Sequence, residues 1–308
     1  MAHFPKVLET IEDLNPHQIE WLLNRAKEFK TRIKNNTLAQ DPFFQNPPNI
    51  VSCTFFEEHS TRTKLSFMRA LQLLKAQNLN FDSGSSSLKK GESIRETFLT
   101  IKSMGVNLCI YRSPSSHALS SFKQNPPFKL INAGDGMNQH PTQALLDLFT
   151  MLELEQTLEN KQVTIIGDCR HSRVTHSLIR LLPQYGAKVL LIGPPEFLME
   201  TSEFPGVQSN TCLTDALTSS DILYLLRIQS ERHTQNFELD NYVQNYGITD
   251  ALLSSLSKIP AIYSPGPANV GVEIDDQTIQ GPHFRGHIQV ENGVYMRMAI
   301  IQAMMKDQ

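Results

Sequence analysis

The sequence predicts an α/β fold of two domains, each a parallel β-sheet flanked by helices. Short apolar runs rich in Val, Ile, Leu and Phe alternate with stretches of helical periodicity, the pattern of βαβ units. At 308 residues the chain can bury two cores of ordinary domain size. Midway, from Leu154 to Lys161, it turns polar and acidic before the same rhythm starts again, and there a domain change is expected.

In the first half, Asn15-Pro16-His17-Gln18 opens a helix carrying Ile19, Leu22, Leu23 and Ala26, with Trp21 beside that face. A polar, Pro-containing connection, Asn35 to Pro48, leads to a strand from Ile50 to Phe56, rich in β-branched and aromatic residues. Ser60 then falls where the N-cap belongs for a helix with Phe67, Ala70, Leu71 and Leu74 at helical spacing. A short strand (Asn78 to Asp82) and a Ser-rich loop (Ser83 to Glu92) follow. The next helix sets Ile94, Phe98, Ile101 and Met104 on one face and stops at Gly105. Val106 to Tyr111 is a strand ending at Arg112, and Lys129 to Asn132 is another, running into Gly134-Asp135-Gly136 and His140-Pro141-Thr142-Gln143. Pro141 suits the first position of a helix reaching Leu154, where its missing N–H costs nothing.

The second half repeats the scheme. Val163 to Ile166 is a strand ending in Gly167-Asp168-Cys169-Arg170-His171-Ser172-Arg173. A helix from Val174 to about Tyr185 and a strand from Lys188 to Ile192 come next. The strand Asp221 to Leu226 ends at Arg227, and a helix from Thr249 to Lys258 precedes the strand Ala261 to Tyr263 and the loop Ser264-Pro265-Gly266-Pro267. The last helix carries Val294, Met298 and Ile301.

Composition narrows the function. With 40% hydrophobic and 19% charged residues and a formal net charge of −3, the chain has no electrostatic case for a nucleic-acid or membrane-surface partner. Cys53, Cys109, Cys169 and Cys212 are too scattered for a disulfide framework or a C-x-x-C metal site, and fit a reducing compartment. Met1 to Lys6 lacks an apolar leader and no run approaches membrane-spanning length, so a cytoplasmic location is expected. His140, His171 and His176 lack a third partner by spacing, so no metal is expected. Gly167-Asp168 is not a G-x-G-x-x-G turn and no Walker A run exists, so no cofactor is expected either.

Parallel sheets bind ligands beyond the carboxyl ends of their strands. Ser60 and Arg62, the Lys90 loop, Arg112, His140, Arg173, Arg227 and Pro265 all follow strands. One strand-end Arg is commonly a solvated or salt-bridged residue. Arg62, Lys90, Arg112, Arg173 and Arg227 together suit a ligand set with about three or four anionic groups, such as one phosphate and two carboxylates. Ser60, Thr61 and Thr63 add hydroxyls at a helix N-terminus, whose unpaired N–H groups and dipole favour a doubly charged oxyanion. The plain alternative at each position is structural: an ordinary N-cap at Ser60, a helix-capping His at 140. With no Ser/His/Asp nucleophile set, catalysis by positioning and electrostatic stabilisation remains.

Six segments carry a family resemblance: Ser60-Thr61-Arg62-Thr63, Lys90-Gly91-Glu92, Gly134-Asp135-Gly136 through Gln143, His171-Ser172-Arg173-Val174, Arg227-x-Gln229-x-Glu231-Arg232 and Val290-Glu291-Asn292-Gly293-Val294-Tyr295. In these the chain resembles the transcarbamoylases, and the Arg-x-Gln-x-Glu-Arg segment is similar to their aspartate-using branch. The resemblance implies transfer of a carbamoyl group from carbamoyl phosphate to the α-amine of L-aspartate, an early step of de novo pyrimidine biosynthesis. It implies a carbamoyl-phosphate-binding domain of residues 1–150 completed by a C-terminal helix, 287–308, and an aspartate-binding domain of residues 151–286, which close on each other. Ser60, Thr61, Arg62, Thr63 and Arg112 would hold the phosphate. Thr63, Arg112 and His140 would meet the carbonyl oxygen, and Gln143 with the Pro265 and Gly266 carbonyls would hold the carbamoyl amide. Lys90, Arg173, Arg227 and Gln229 would bind aspartate, with Ser86 (or Ser87) and Lys90 supplied by a neighbouring subunit of a homotrimer. Regulatory chains or dihydroorotase are further candidate partners. His140, set among arginines, is expected to be neutral and a hydrogen-bond donor. Three positions depart from the family pattern: the proline loop begins with Ser264 where His is usual, Gly266 replaces a larger apolar residue, and Lys64 stands where Arg is common. Acceptors such as ornithine would call for an acidic or thiol partner, and that loop has no Cys.

Overall fold

The computed structural model describes residues 3–82, 91–228 and 239–306. The chain divides into two compact units, one of Met1–Phe149 with Val290–Gln308 and one of Thr150–Gln289. Each holds a five-stranded sheet whose pairings are parallel.

In the first unit, β1 (Val7–Leu8), β2 (Val51–Phe56), β3 (Gln77–Asp82), β4 (Leu108–Ser113) and β5 (Lys129–Asp135) lie in the order β1-β5-β4-β2-β3. Helices α1 (Pro16–Lys34), α2 (Arg62–Leu73) and α3 (Ile94–Ser103) belong to this unit, and α4 (Pro141–Glu155) begins in it. Polar signals set where they start. Asn15 accepts from the Gln18 N–H while Gln18 returns the bond, and Pro16 opens α1. Ser93 and Glu96 make the same reciprocal box at α3. Phe55, Phe98, Tyr111, Phe122 and Phe128 form one aromatic cluster on the sheet, with edge-on contacts such as Phe55 to Tyr111 at 5.0 Å between ring centres.

In the second unit, β6 (Gln162–Ile166), β7 (Lys188–Ile192), β8 (Val207–Asn210), β9 (Ile222–Leu225) and β10 (Ala261–Tyr263) lie in the order β10-β9-β6-β7-β8. Helices α5 (Arg173–Leu181), α6 (Leu213–Ser219), α7 (Leu239–Tyr246), α8 (Asp250–Ser254) and α9 (Asp276–Gln280) accompany them. The helix expected up to Tyr185 tightens into a 3-10 turn at Leu182–Tyr185, where Pro183 cannot donate. The helix expected over 249–258 is shorter, a five-residue turn capped by Thr249. Ile166, Ile192, Leu223, Leu225 and Ile262 centre this unit's core.

Finally α10 (Gly286–Met305) carries the chain into the first unit from Val290 onward. Met296, Met298, Ile300, Ile301 and Met304 are all buried, the all-round apolar character of an enclosed helix. There α10 meets α1, with Lys30 donating to Asn292 at 2.8 Å and Arg25 to Gln302.

Strand order matters most for the site. In the first sheet the chain leaves β2 for β3 on one side and later returns to β4 on the other. In the second it leaves β6 for β7 and returns to β9. Each reversal opens a crevice beyond the strand ends, at β2/β4 and at β6/β9, where open α/β sheets take ligands.

Candidate active site

At the first crevice, β2 and β4 end in register, Phe56 opposite Arg112, and the Glu57 N–H donates to the Arg112 carbonyl at 3.0 Å. The chain passes Glu58, His59 and Ser60 and enters α2. Ser60, expected as the N-cap, lies one residue short of it: Thr61 takes that place with a near-helical backbone (φ −77°, ψ −59°) and its side chain makes no capping hydrogen bond. The first-turn N–H groups are thus left to whatever anion arrives. Ser60 is half-buried, Thr61 and Arg62 are exposed, and Thr63 is buried.

Arg112 is half-buried at the end of β4. Its Nε meets the Glu58 carboxylate at 3.1 Å and its Nη1 the Ala133 carbonyl at 3.5 Å, which lays the guanidinium across the ends of β2, β4 and β5. Tyr111 donates to Glu57, and burial pushes the Tyr111 hydroxyl well above its ordinary value. That keeps it a donor.

The loop from β5 to α4 delivers His140 and is pinned by a buried carboxylate. Asp135 accepts from the His117 N–H at 2.8 Å, Asn132 Nδ2 at 2.7 Å, Asn138 Nδ2 at 3.0 Å and the Gln139 N–H at 3.2 Å. Desolvation lifts its carboxyl above the usual range, with those donors acting against the rise. Gly136 sits at φ +46° and a Cβ there would come within 2.6 Å of the Ser116 backbone nitrogen, so the turn requires glycine. His140, 4% exposed, has its carbonyl bonded by the Gln143 and Ala144 N–H groups at 3.0 and 3.2 Å. Gln143 is also buried and its Nε2 donates to Asp147 at 3.0 Å.

The second crevice has its own cations. After β6 the chain bends at Gly167 (φ +124°), where a Cβ would crowd Leu226 at 3.1 Å. Asp168 accepts from the His171 N–H at 3.1 Å and faces its Nδ1 at 2.9 Å. Ser172 caps α5 by accepting from the Thr175 N–H at 3.1 Å, and Arg173, buried, is the first helical residue. Arg227 follows β9 across the crevice. Buried Glu273 fastens the surrounding backbone, accepting from the Ile228 N–H at 2.7 Å and the Asn269 N–H at 2.6 Å. In the loop after β10, the Ser264 N–H donates to Gln289 at 2.9 Å and its hydroxyl accepts from the Gly266 N–H at 3.2 Å. Gly266, half-buried beside Pro265, has φ +59° and precedes a cis bond to Pro267. Ser264 in place of His therefore has a local task, closing this turn.

The first unit thus gathers Ser60, Thr61, Arg62, Thr63, Arg112, His140 and Gln143 at one sheet edge, and the second gathers Arg173, Arg227, Pro265 and Gly266 at another. Ser86, Ser87, Lys90 and Gln229 lie outside the described residues. Glu58, Asp135, Asp147 and Glu273 were not anticipated. Asp135 stands in a segment that carries the family resemblance, and Asp147 had a spacing signal, i+4 from Gln143 on a helix. Among the described residues no group of three His, Cys, Asp or Glu side chains could hold a metal ion, and no helix is long and apolar enough to cross a membrane.

The arrangement is matched elsewhere. A family model described as aspartate/ornithine carbamoyltransferase, carbamoyl-P binding domain, matches residues 6–153. Another, described as aspartate/ornithine carbamoyltransferase, Asp/Orn binding domain, matches residues 159–304. The aspartate carbamoyltransferase catalytic subunit of Ruminiclostridium cellulolyticum is 38% identical over 298 residues, covering 96% of this chain and 94% of that one. The catalytic subunit of M. jannaschii aspartate transcarbamoylase superposes with a TM-score of 0.85 at 28% identity, covering 98% of this chain and 99% of that one. Aspartate transcarbamoylase from Trypanosoma cruzi, in complex with carbamoyl aspartate and phosphate, gives 0.85 at 25% identity, with 98% and 99% covered.

Proposed function

The chain belongs to the aspartate/ornithine carbamoyltransferase family, and from that premise we infer that it is an aspartate carbamoyltransferase, converting carbamoyl phosphate and L-aspartate into N-carbamoyl-L-aspartate and phosphate. One observation carries the reading: each sheet sets its cations at its own strand-order reversal. Arg62 and Arg112 flank the β2/β4 crevice, where an uncapped helix suits a phosphate. Arg173 and Arg227 flank the β6/β9 crevice and suit two carboxylates.

Ser60, Thr61, Arg62, Thr63 and Arg112 hold the phosphate. Thr63, Arg112 and His140 face the carbonyl oxygen; Gln143 and the Pro265 and Gly266 carbonyls receive the carbamoyl NH2. Arg173, Arg227, Gln229 and Lys90 take the aspartate carboxylates, Ser86 and Lys90 coming from a neighbouring chain of a homotrimer in the cytoplasm.

The neutral α-amine attacks the carbamoyl carbon, forming the N–C bond. Negative charge collects on the carbonyl oxygen, where fixed donors are each worth about 3–4 kcal/mol of barrier. The C–O bond to phosphate then breaks, and the departing phosphate takes the proton the amine loses. Binding energy from the charged ends of both substrates holds the reacting atoms in place.

The test is a product assay with carbamoyl phosphate and either aspartate or ornithine. Carbamoyl-aspartate alone is expected. Citrulline instead would overturn the acceptor assignment, and neither product from folded protein would overturn the activity.

A further inference from the structure

Behind Gln143 lie a buried carboxylate and a buried guanidinium that the transfer chemistry above does not use. Asp147 stands one turn along α4 from Gln143 and is fully enclosed. Arg297, on α10, is 3% exposed and lies over the Phe67 ring of α2 at 5.0 Å. Gly293 makes the room, since a Cβ there would come within 2.5 Å of the Arg297 Nη1. Burial pulls the guanidinium down to about 10, with the charge of Asp147 acting against that fall. Arg297 therefore stays charged at neutral pH, a positive charge that acts on Asp147.

An ionised carboxylate only accepts hydrogen bonds, whereas a Gln amide has a donor end and an acceptor end. Gln143 must turn its NH2 inward to Asp147, as the 3.0 Å contact has it. Its carbonyl Oε1 is then the end that remains, and among the described residues it accepts no hydrogen bond. Without the negative charge behind it, the amide could sit either way round.

We propose that Asp147 is a positioning residue that locks the Gln143 amide with its carbonyl toward the acyl donor, and so selects donors whose acyl carbon bears an NH2. This rests on the placement of carbamoyl phosphate in the first unit. Acetyl phosphate is the discriminating probe, because it replaces the NH2 by a methyl of nearly the same size and keeps the phosphate and carbonyl. A locked acceptor gains a hydrogen bond from the first and leaves an unmet carbonyl against the second.

The experiment measures dissociation constants of both acyl phosphates for the wild type, Asp147→Asn and Gln143→Met by titration calorimetry, with thermal midpoints to check folding. Wild type is expected to favour carbamoyl phosphate by about tenfold or more. In Asp147→Asn, whose side chain can donate to a flipped Gln143, the preference should shrink to within about threefold. Gln143→Met should show the same loss, with acetyl phosphate binding little changed. Should Asp147→Asn fail to fold, D147N/R297M, which leaves no lone buried charge, reads the same ratio. An unchanged ratio, or equal weakening of both ligands, would overturn the proposal. The ratio is read without turnover, so failure of the product assay would remove the assigned activity while this measurement still judged Asp147.

Discussion

His140 is enclosed among residues whose contacts fix it before any substrate arrives. Its carbonyl caps the first turn of α4, and the loop leading to it hangs on the Asp135 carboxylate. A donor so held loses little entropy when charge develops on a carbonyl oxygen. Replacing His140 with Ala should lower kcat by about 100- to 1,000-fold while the carbamoyl phosphate Kd moves by less than about threefold. Steady-state kinetics beside equilibrium binding will separate the two, and equal losses in both would remove His140 from the chemistry. The side chains with donor chemistry were legible in the sequence because Ser60 to Thr63, Arg112 and Arg173 each follow an apolar run. Their carboxylate partners were not. Glu273 reaches Ile228 across 45 residues of chain, and the Glu58 contact with Arg112 spans 54. No local pattern encodes either.

Elements were legible where their period was long and unbroken. The long helices and buried strands stand close to where their apolar spacing put them. Elements that escaped the sequence are short or wet: β8 has one buried residue in four, and α7 buries only Tyr242. Helix α1 shows how a readable element can still depend on an unreadable tie. Asp41, fully buried beyond its C-terminus, takes Arg25 at 2.5 and 2.8 Å, Arg32 at 2.9 Å and the Phe43 N–H at 3.0 Å. Burial alone would raise the Asp41 carboxyl, but the Arg25 bonds, the Phe43 N–H and the Arg32 charge hold it below its ordinary 3.8. A carboxyl depressed in the folded state contributes stability that is complete above its unfolded value and is lost as pH falls through the folded one. Asp41→Asn should therefore cost about 3 kcal/mol at pH 7, where Arg25 loses its buried carboxylate and keeps only the exposed Glu28 as a charged partner. The gap in thermal midpoint between variant and wild type should narrow below about pH 4. A gap that persists unchanged at pH 2.5 would mean that Asn fails there by shape and not by charge.

On the scale of the whole molecule, two sheets of different strand order have arrived at one solution, cations at the reversal of the winding. In the proposed reaction each sheet would serve a different anion, so the chemistry asks for more than either provides. If each site of the proposed homotrimer also borrows Lys90 from a neighbour, activity becomes a property of the assembly. The consequence can be counted. A His140→Ala chain lacks its own donor but still lends Lys90, and a Lys90→Ala chain does the reverse. In a closed ring of three, any mixture of the two puts an intact His140 beside a borrowed intact Lys90 at one site. Equal amounts of the two nearly inactive variants, dissociated and allowed to reassemble, should then recover about a quarter of wild-type turnover: three-quarters of the rings are mixed and each has one good site of three. Mixing without dissociation should recover none. If reassembled mixtures stay as inactive as their parents, Lys90 serves only its own chain, and the shared site falls while the assignment of aspartate and carbamoyl phosphate stands on the product assay.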